Sequence, residues 1–160
     1  MNYFIEPLTS RLLENATSLR DSIFPGLNAL EYATLEESLK KENHDVRRKL
    51  NIIDLDYWIA RDESDNVVGL IGLYTEEDDA DIEVWLGWYC VDPSTRGSGI
   101  GTRLLYFAIG TAWDRGYTTL KLYTTSADEY AAARRLYEKK GFIDTTSSSR
   151  AKTRYYKLSK

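Results

Sequence analysis

Apolar residues recur along this chain with two periods, and the switches between them predict its elements. Asn2 to Glu6 alternates as a short strand that Pro7 ends. Ser10 to Ser22 carries Leu12, Leu13, Ala16 and Leu19 at helical spacing. Leu30 to Lys40 repeats that spacing with Leu30, Ala33, Leu35 and Leu39, and Pro25-Gly26 marks the turn between the two helices. Residues 41 to 55 are polar and show no clear period; a helix extension and a mobile loop both fit.

Strand signals then take over. Asp56 to Arg61 and Val67 to Tyr74 predict a hairpin, joined by the turn-forming run Asp62-Glu63-Ser64-Asp65-Asn66. A second acidic turn, Glu76 to Asp81, leads into a long strand that ends at Val91. The helix from Gly101 places Leu104, Leu105, Ala108, Ile109, Ala112 and Trp113 on one stripe, and Gly116 stops it. A strand over 118–124, a helix over 128–140 and strands near 142–146 and 152–158 follow, with Ser147-Ser148-Ser149 turning between the last two. The order implies an α+β fold: a mixed, mostly antiparallel sheet of seven strands flanked by about four helices.

Length and composition narrow the class. The 160 residues suit a single domain spanning 1–160. No apolar run approaches membrane-spanning length and no signal peptide opens the chain, so a cytoplasmic protein without membrane attachment is expected. One cysteine excludes an internal disulfide, and one cysteine with one histidine excludes a typical zinc cluster, so no metal is expected. The net charge of −4 argues against nucleic acid as a partner. That charge is unevenly spread. Residues 1–80 hold 8 Lys+Arg against 17 Asp+Glu, a net of −9, while residues 81–160 hold 13 against 8, a net of +5.

The basic half contains the most informative stretch, WYCVDPSTRGSGIGTRLL from Trp88 to Leu105. A strand breaks at Asp92-Pro93, a glycine-rich bend follows, and a helix begins. This leaves main-chain N–H groups free at a helix N-terminus, an arrangement that binds phosphate. The glycine spacing excludes two phosphate loops. A Walker loop needs Lys-Ser or Lys-Thr after its last glycine, and Thr102-Arg103 stands there. A dinucleotide fingerprint needs a third glycine where this chain has Thr102. What the chain carries is Arg-x-x-Gly-x-Gly, from Arg96 through Gly99 to Gly101, after Val-Asp-Pro. This resembles the acetyl-CoA signature of the GNAT N-acetyltransferase superfamily. A second block, Ala-x-x-Leu-Tyr-Glu-Lys-x-Gly-Phe from Ala133 to Phe142, resembles that family's later motif in the right order and spacing. The two blocks cover residues 85–143. One departure stands at Tyr130, where the family often has an Asn that contacts the pantetheine arm.

The resemblance implies a GNAT-like fold and direct acetyl transfer from acetyl-CoA to a primary amine of a small molecule, peptide or protein. The acidic first half favours a cationic acceptor. Family members are often dimers, so a homodimer is an expectation. The pyrophosphate site would be Arg96, Gly97, Ser98, Gly99, Ile100, Gly101 and Thr102, acting mainly through main-chain N–H groups. Val91 matches the position whose N–H faces the thioester carbonyl. Tyr137 matches the tyrosine near the cofactor sulfur, and a phenol suits protonation of a departing thiolate. Glu83 is the candidate general base, with Asp81 and Tyr89 as alternatives; the family's usual position holds Trp85. Trp85, Tyr74 and Tyr32 are candidates to line the acceptor pocket. Cys90 reads as a small buried residue, and His44 as an exposed polar one. The rival reading is a non-enzymatic acyl-CoA-binding sensor or assembly module with the same fold.

Overall fold

Residues 2–160 are described by a computed structural model. β1 (Phe4–Pro7) leads through a 3-10 turn at Ser10–Leu12 into α1 (Leu13–Ile23). α2 (Ala29–Ser38) starts at a reciprocal cap. The Asn28 side chain accepts from the Glu31 N–H at 2.9 Å, and the Glu31 carboxylate accepts from the Asn28 N–H at 3.2 Å. α3 (Asp45–Leu50) occupies the region without a period. It buries no residue, so it has no apolar stripe to reveal it. Asp45 in its first turn and Arg47, Arg48 and Lys49 in its last suit the helix dipole.

β2 (Ile52–Arg61) and β3 (Val67–Glu76) form the expected hairpin. Asp62 shapes its turn by accepting from the N–H groups of Ser64 and Asn66. β4 (Glu83–Leu86) and β5 (Cys90–Val91) replace the single long strand expected there. α4 (Ile100–Asp114), β6 (Thr119–Thr125), α5 (Ala131–Lys139), β7 (Ile143–Asp144) and β8 (Thr153–Ser159) complete the chain. Among the described residues the sheet therefore has eight strands where seven were expected, and there are five α-helices where about four were expected. The added strand comes from the break after Leu86, and the added helix is α3. No helix among the described residues is long and apolar enough to cross a membrane.

The strand order is β1-β2-β3-β4-β6-β8-β7, with β5 paired to β3. Only β4 and β6 run parallel. One buried cluster joins α4 to the sheet through Ile100, Leu104, Leu105, Ala108 and Ala112. A second joins α1 and α2 through Leu12, Ala16, Leu19 and Leu35. Glycines in β3 permit both contacts. A Cβ at Gly69 would lie 2.6 Å from a Leu104 methyl, and one at Gly72 would lie 2.4 Å from the Tyr57 ring.

The break between β4 and β5 shapes the site. Leu73 pairs with Leu86 and Leu70 pairs with Cys90. Two β3 residues thus face three on the other strand, Gly87, Trp88 and Tyr89, which is a β-bulge. β4 stays beside β6 only through the Trp85–Lys121 pair, whereas β6 continues along β8 to Thr125. The strands part beyond that point, and β5 keeps one edge unpaired.

Candidate active site

The glycine bend sits at the mouth of this gap. Asp92 folds it: its N–H donates to the Val68 carbonyl at 2.8 Å, and its carboxylate accepts from the Ser94 N–H at 2.9 Å and the Ser94 hydroxyl at 2.8 Å. A 3-10 turn at Pro93–Thr95 follows. Gly97 and Gly99 adopt φ of 82° and 85°, left-handed values that a side chain would strain. Nothing lies within 4 Å of where a Cβ would stand on either. Gly99 is the N-cap of α4 and supplies no side-chain cap. The N–H groups of Gly97, Gly99, Ile100, Gly101 and Thr102 consequently have no acceptor among the described residues. Arg96 is exposed and forms no ion pair among them.

The bulge supports that bend from below. The Tyr89 hydroxyl donates to the Gly101 carbonyl at 2.6 Å. A Cβ on Gly101 would lie 3.2 Å from that hydroxyl and 3.4 Å from a Val91 methyl. Tyr89 is thus committed to fixing the first turn of α4, which removes it as a free base. Asp92 donates toward β3, so by the two-residue alternation of an antiparallel ladder the Val91 N–H points to the unpaired edge.

Tyr137 lies across the gap on α5. The block that carries it is a helix end. The Gly141 N–H donates to the Glu138 carbonyl and the Phe142 N–H to the Tyr137 carbonyl, each at 3.0 Å, with Gly141 at φ 98°. This is a Schellman motif, and the Phe142 and Tyr137 rings complete it at 5.7 Å. Tyr89 and Tyr156 pack against the same phenol at 6.2 and 5.9 Å. Tyr137 is 6 % exposed, and its hydroxyl bonds no protein atom among the described residues. Burial, then the neighbouring Tyr89 and Tyr156, push its pKa well above the ordinary phenol value.

A cavity of about 380 Å³ extends from Tyr137 toward the N-terminal helices. Tyr89 and Leu122 border it near the gap, and Phe24, Glu31, Tyr74 and Glu76 border it further out. Tyr130, standing where the family's Asn is expected, lines it and stacks on Phe24 at 6.5 Å. A second groove, of about 800 Å³, runs between α1 and the bend, bordered by Asn15, Ser18, Asp92 and Arg96.

The other candidates fall outside the cavity lining. Glu83 is held by the Lys121 ammonium at 2.6 Å. Lys121 also bonds Asp79 at 2.8 Å and lies 4.4 Å from the Trp85 ring centroid. Burial opposes the Lys121 charge, but the bonds from Asp79 and Glu83 outweigh it and raise its pKa. Trp85 donates to Asp79 and stacks on Tyr74, but does not itself line the cavity. Tyr32 and Asp81 are exposed and lie outside it. Cys90 is buried, and burial pushes its thiol up to about 12. His44 is half-buried rather than exposed: it starts α3, with its imidazole 3.7 Å from the buried Glu37. Glu76 and Glu31 were missed. Glu76 reads as part of an acidic turn but is the last residue of β3, and Glu31 signals only a helix cap. Among the described residues no group of side chains is arranged to hold a metal ion.

The sequence matches the profile of the acetyltransferase (GNAT) family over residues 24–142. No functionally curated protein sequence matches the chain. Solved structures share its fold. An acetyltransferase of the GNAT family from Staphylococcus aureus Mu50 is 19% identical, with a TM-score of 0.75 and 99% of each chain covered. The ribosomal-protein-S18-alanine N-acetyltransferase of Escherichia coli is also 19% identical, with a TM-score of 0.71 over 99% of this chain and 94% of that one. A chain of the NatC complex bound to Gag peptide and CoA is 19% identical, with a TM-score of 0.74 over 100% and 99%. With a family profile spanning most of its length and both signature blocks in place around one cleft, the chain belongs to the GNAT family of acetyltransferases.

Proposed function

We propose that this protein transfers an acetyl group from acetyl-CoA to a primary amine. One observation carries the reading: two unsatisfied sets of main-chain groups lie side by side, five N–H groups at the glycine bend and the free edge of β5. The first set suits a diphosphate. The second suits an extended amide-bearing arm, which adds to a strand edge as another strand would. The open space beside Gly97 and Gly99 lets phosphate oxygens approach the main chain.

Acetyl-CoA supplies, when bound, a thioester carbon open to attack by an amine. The chain's own groups do the rest. The bend and Arg96 hold the phosphates. The Val91 N–H donates to the carbonyl oxygen, a fixed dipole aimed where negative charge develops. The Tyr137 hydroxyl donates its proton to the departing sulfur. Burial raises the phenol pKa, so the hydroxyl stays protonated and available as a donor. Glu83 enters as a positioning residue that fixes Lys121 over Trp85.

The test is release of free thiol from acetyl-CoA across a panel of primary amines, with calorimetry for acetyl-CoA itself. Binding together with amine-dependent thiol release is expected. Binding with no release for any amine would instead favour an acyl-CoA-binding module.

A further inference from the structure

The charge lining the cavity is of one sign. Among the described residues, Glu31 and Glu76 are the only charged ones in its lining. Two cations stand behind the lining, each already held: Lys121 by Asp79 and Glu83, and the buried Arg20 guanidinium by Asp21, Thr34 and the carbonyls of Glu31 and Tyr32. The Glu76 carboxylate receives no protein hydrogen bond among the described residues. Burial, then Asp79, raises its pKa, and the Lys121 charge only partly offsets them. One Glu31 oxygen caps α2 through Asn28, and the other is free of hydrogen bonds.

The two carboxylates share one end of the cavity, and Tyr137 stands at the other. Tyr123 lines the cavity with both carboxylates, and burial, followed by Glu31 and Glu76, raises its pKa. Tyr137 instead responds to Tyr89 and Tyr156. Along β3, Glu76 lies four residues beyond Gly72, whose carbonyl bonds the Gly87 N–H at the bulge. At ~3.3 Å per residue that is about 13 Å from the gap. The walls between are apolar or aromatic, including Leu55, Tyr57, Tyr74 and Leu122. Rings of this kind favour methylene chains and cations. The buried, unpartnered Tyr137 hydroxyl faces the same cavity from the reaction end.

We propose that the acceptor is a linear primary amine bearing a second cationic group, and that Glu76 and Glu31 receive that second group while the first amine reaches the gap beside Tyr137. This rests on the acetyl-transfer reading above and adds a substrate class to it. A cleft of about 380 Å³ has room for a small diamine.

The test compares octane-1,8-diamine with n-octylamine, by kcat/KM for thiol release and by calorimetric binding to the CoA-saturated protein. The diamine is expected to exceed the monoamine by about tenfold or more, one charge-assisted contact's worth. The ratio should shrink as salt rises. Glu76→Gln is expected to bring it toward one, and Glu31→Gln to lower it less. Glutamine keeps the cap on α2, and an acetyl-CoA-dependent rise in Tm reports that each variant is folded.

A wild-type ratio near one, or a ratio unmoved by both variants, would overturn the diamine proposal while n-octylamine turnover upheld acetyl transfer. Acetylation of a lysine-containing peptide well above any diamine would also overturn it. If no amine releases thiol, acetyl transfer fails as a reading; a selective heat for the diamine would still support the cation site, and its absence would overturn that too.

Discussion

On the proposals above, the glycine bend and the far end of the cavity would bind charge by opposite means. At the bend, five N–H groups and one guanidinium await an anion, and most of what recognises it is main chain. At the far end, two carboxylates and a set of rings await a cation, and all of it is side chain. The bend is built from seven consecutive residues, Arg96 to Thr102. The cavity end gathers residues from α2, α3, β2, β3 and β6. A main-chain site depends on where glycines permit the backbone to go, so it can be read from a short string. A side-chain site depends on which distant residues the sheet brings together.

Four experiments press on that contrast, from the largest expected effect to the smallest. Gly101→Leu puts a side chain against the Tyr89 hydroxyl and Val91 and into the space above the helix N-terminus. Acetyl-CoA affinity by calorimetry should fall about a hundredfold, on the order of two charge-assisted hydrogen bonds. Unchanged affinity would show that the bend does not hold the phosphates. Tyr137→Phe removes one hydroxyl and keeps the ring packing with Phe142 and Tyr156. Turnover should drop by a factor of about 10², while the calorimetric Kd for acetyl-CoA moves little. A loss of affinity with kcat intact would turn Tyr137 into a packing residue.

How much of this was legible follows from the same contrast. The hairpin, the apolar stripe of α4 and the Schellman end at Gly141-Phe142 each declare themselves within a few adjacent residues, and all three are present. α3 was invisible because it buries nothing. The bulge was invisible because Trp85 to Val91 reads as one continuous strand, and only pairing to β3 shows the surplus residue. Glu76 was taken for turn because its neighbours are acidic, although its own backbone is still paired with Ile52. Glu83 was placed on the correct strand, but nothing in the local string reveals that Lys121 claims its carboxylate.

Glu83→Gln tests that last point. A partly exposed ion pair stabilises by about 0.2–1 kcal/mol, so the Tm should fall by only a few degrees and kcat/KM should stay within about twofold. A collapse of activity with the fold intact would restore Glu83 as the base. The smallest effect is expected at Cys90. With its thiol pushed up to about 12, only about one molecule in 10⁴ carries a thiolate at pH 8. Iodoacetamide should therefore leave the native protein unlabelled at that pH, and labelling should rise about tenfold per pH unit. Rapid labelling at neutral pH would show that the strand beneath the bend opens to solvent.

The surplus residue between Leu86 and Cys90 acts as a parity switch. Before it, an odd-numbered residue, Gly87, donates its amide to β3; after it, an even-numbered one, Asp92, does. Removing a single position from that interval would leave two residues facing two, so the bulge would vanish while Cys90 and Asp92 kept their places opposite Leu70 and Val68 and the Val91 hydrogen stayed on the outer edge. Orientation of the reactive edge is thus inherited from an integer, not from the chemistry of any one side chain. Shortening this segment by one would flatten the strand without turning that hydrogen inward, whereas shortening it by two would invert the alternation and bury it, even with every motif residue retained.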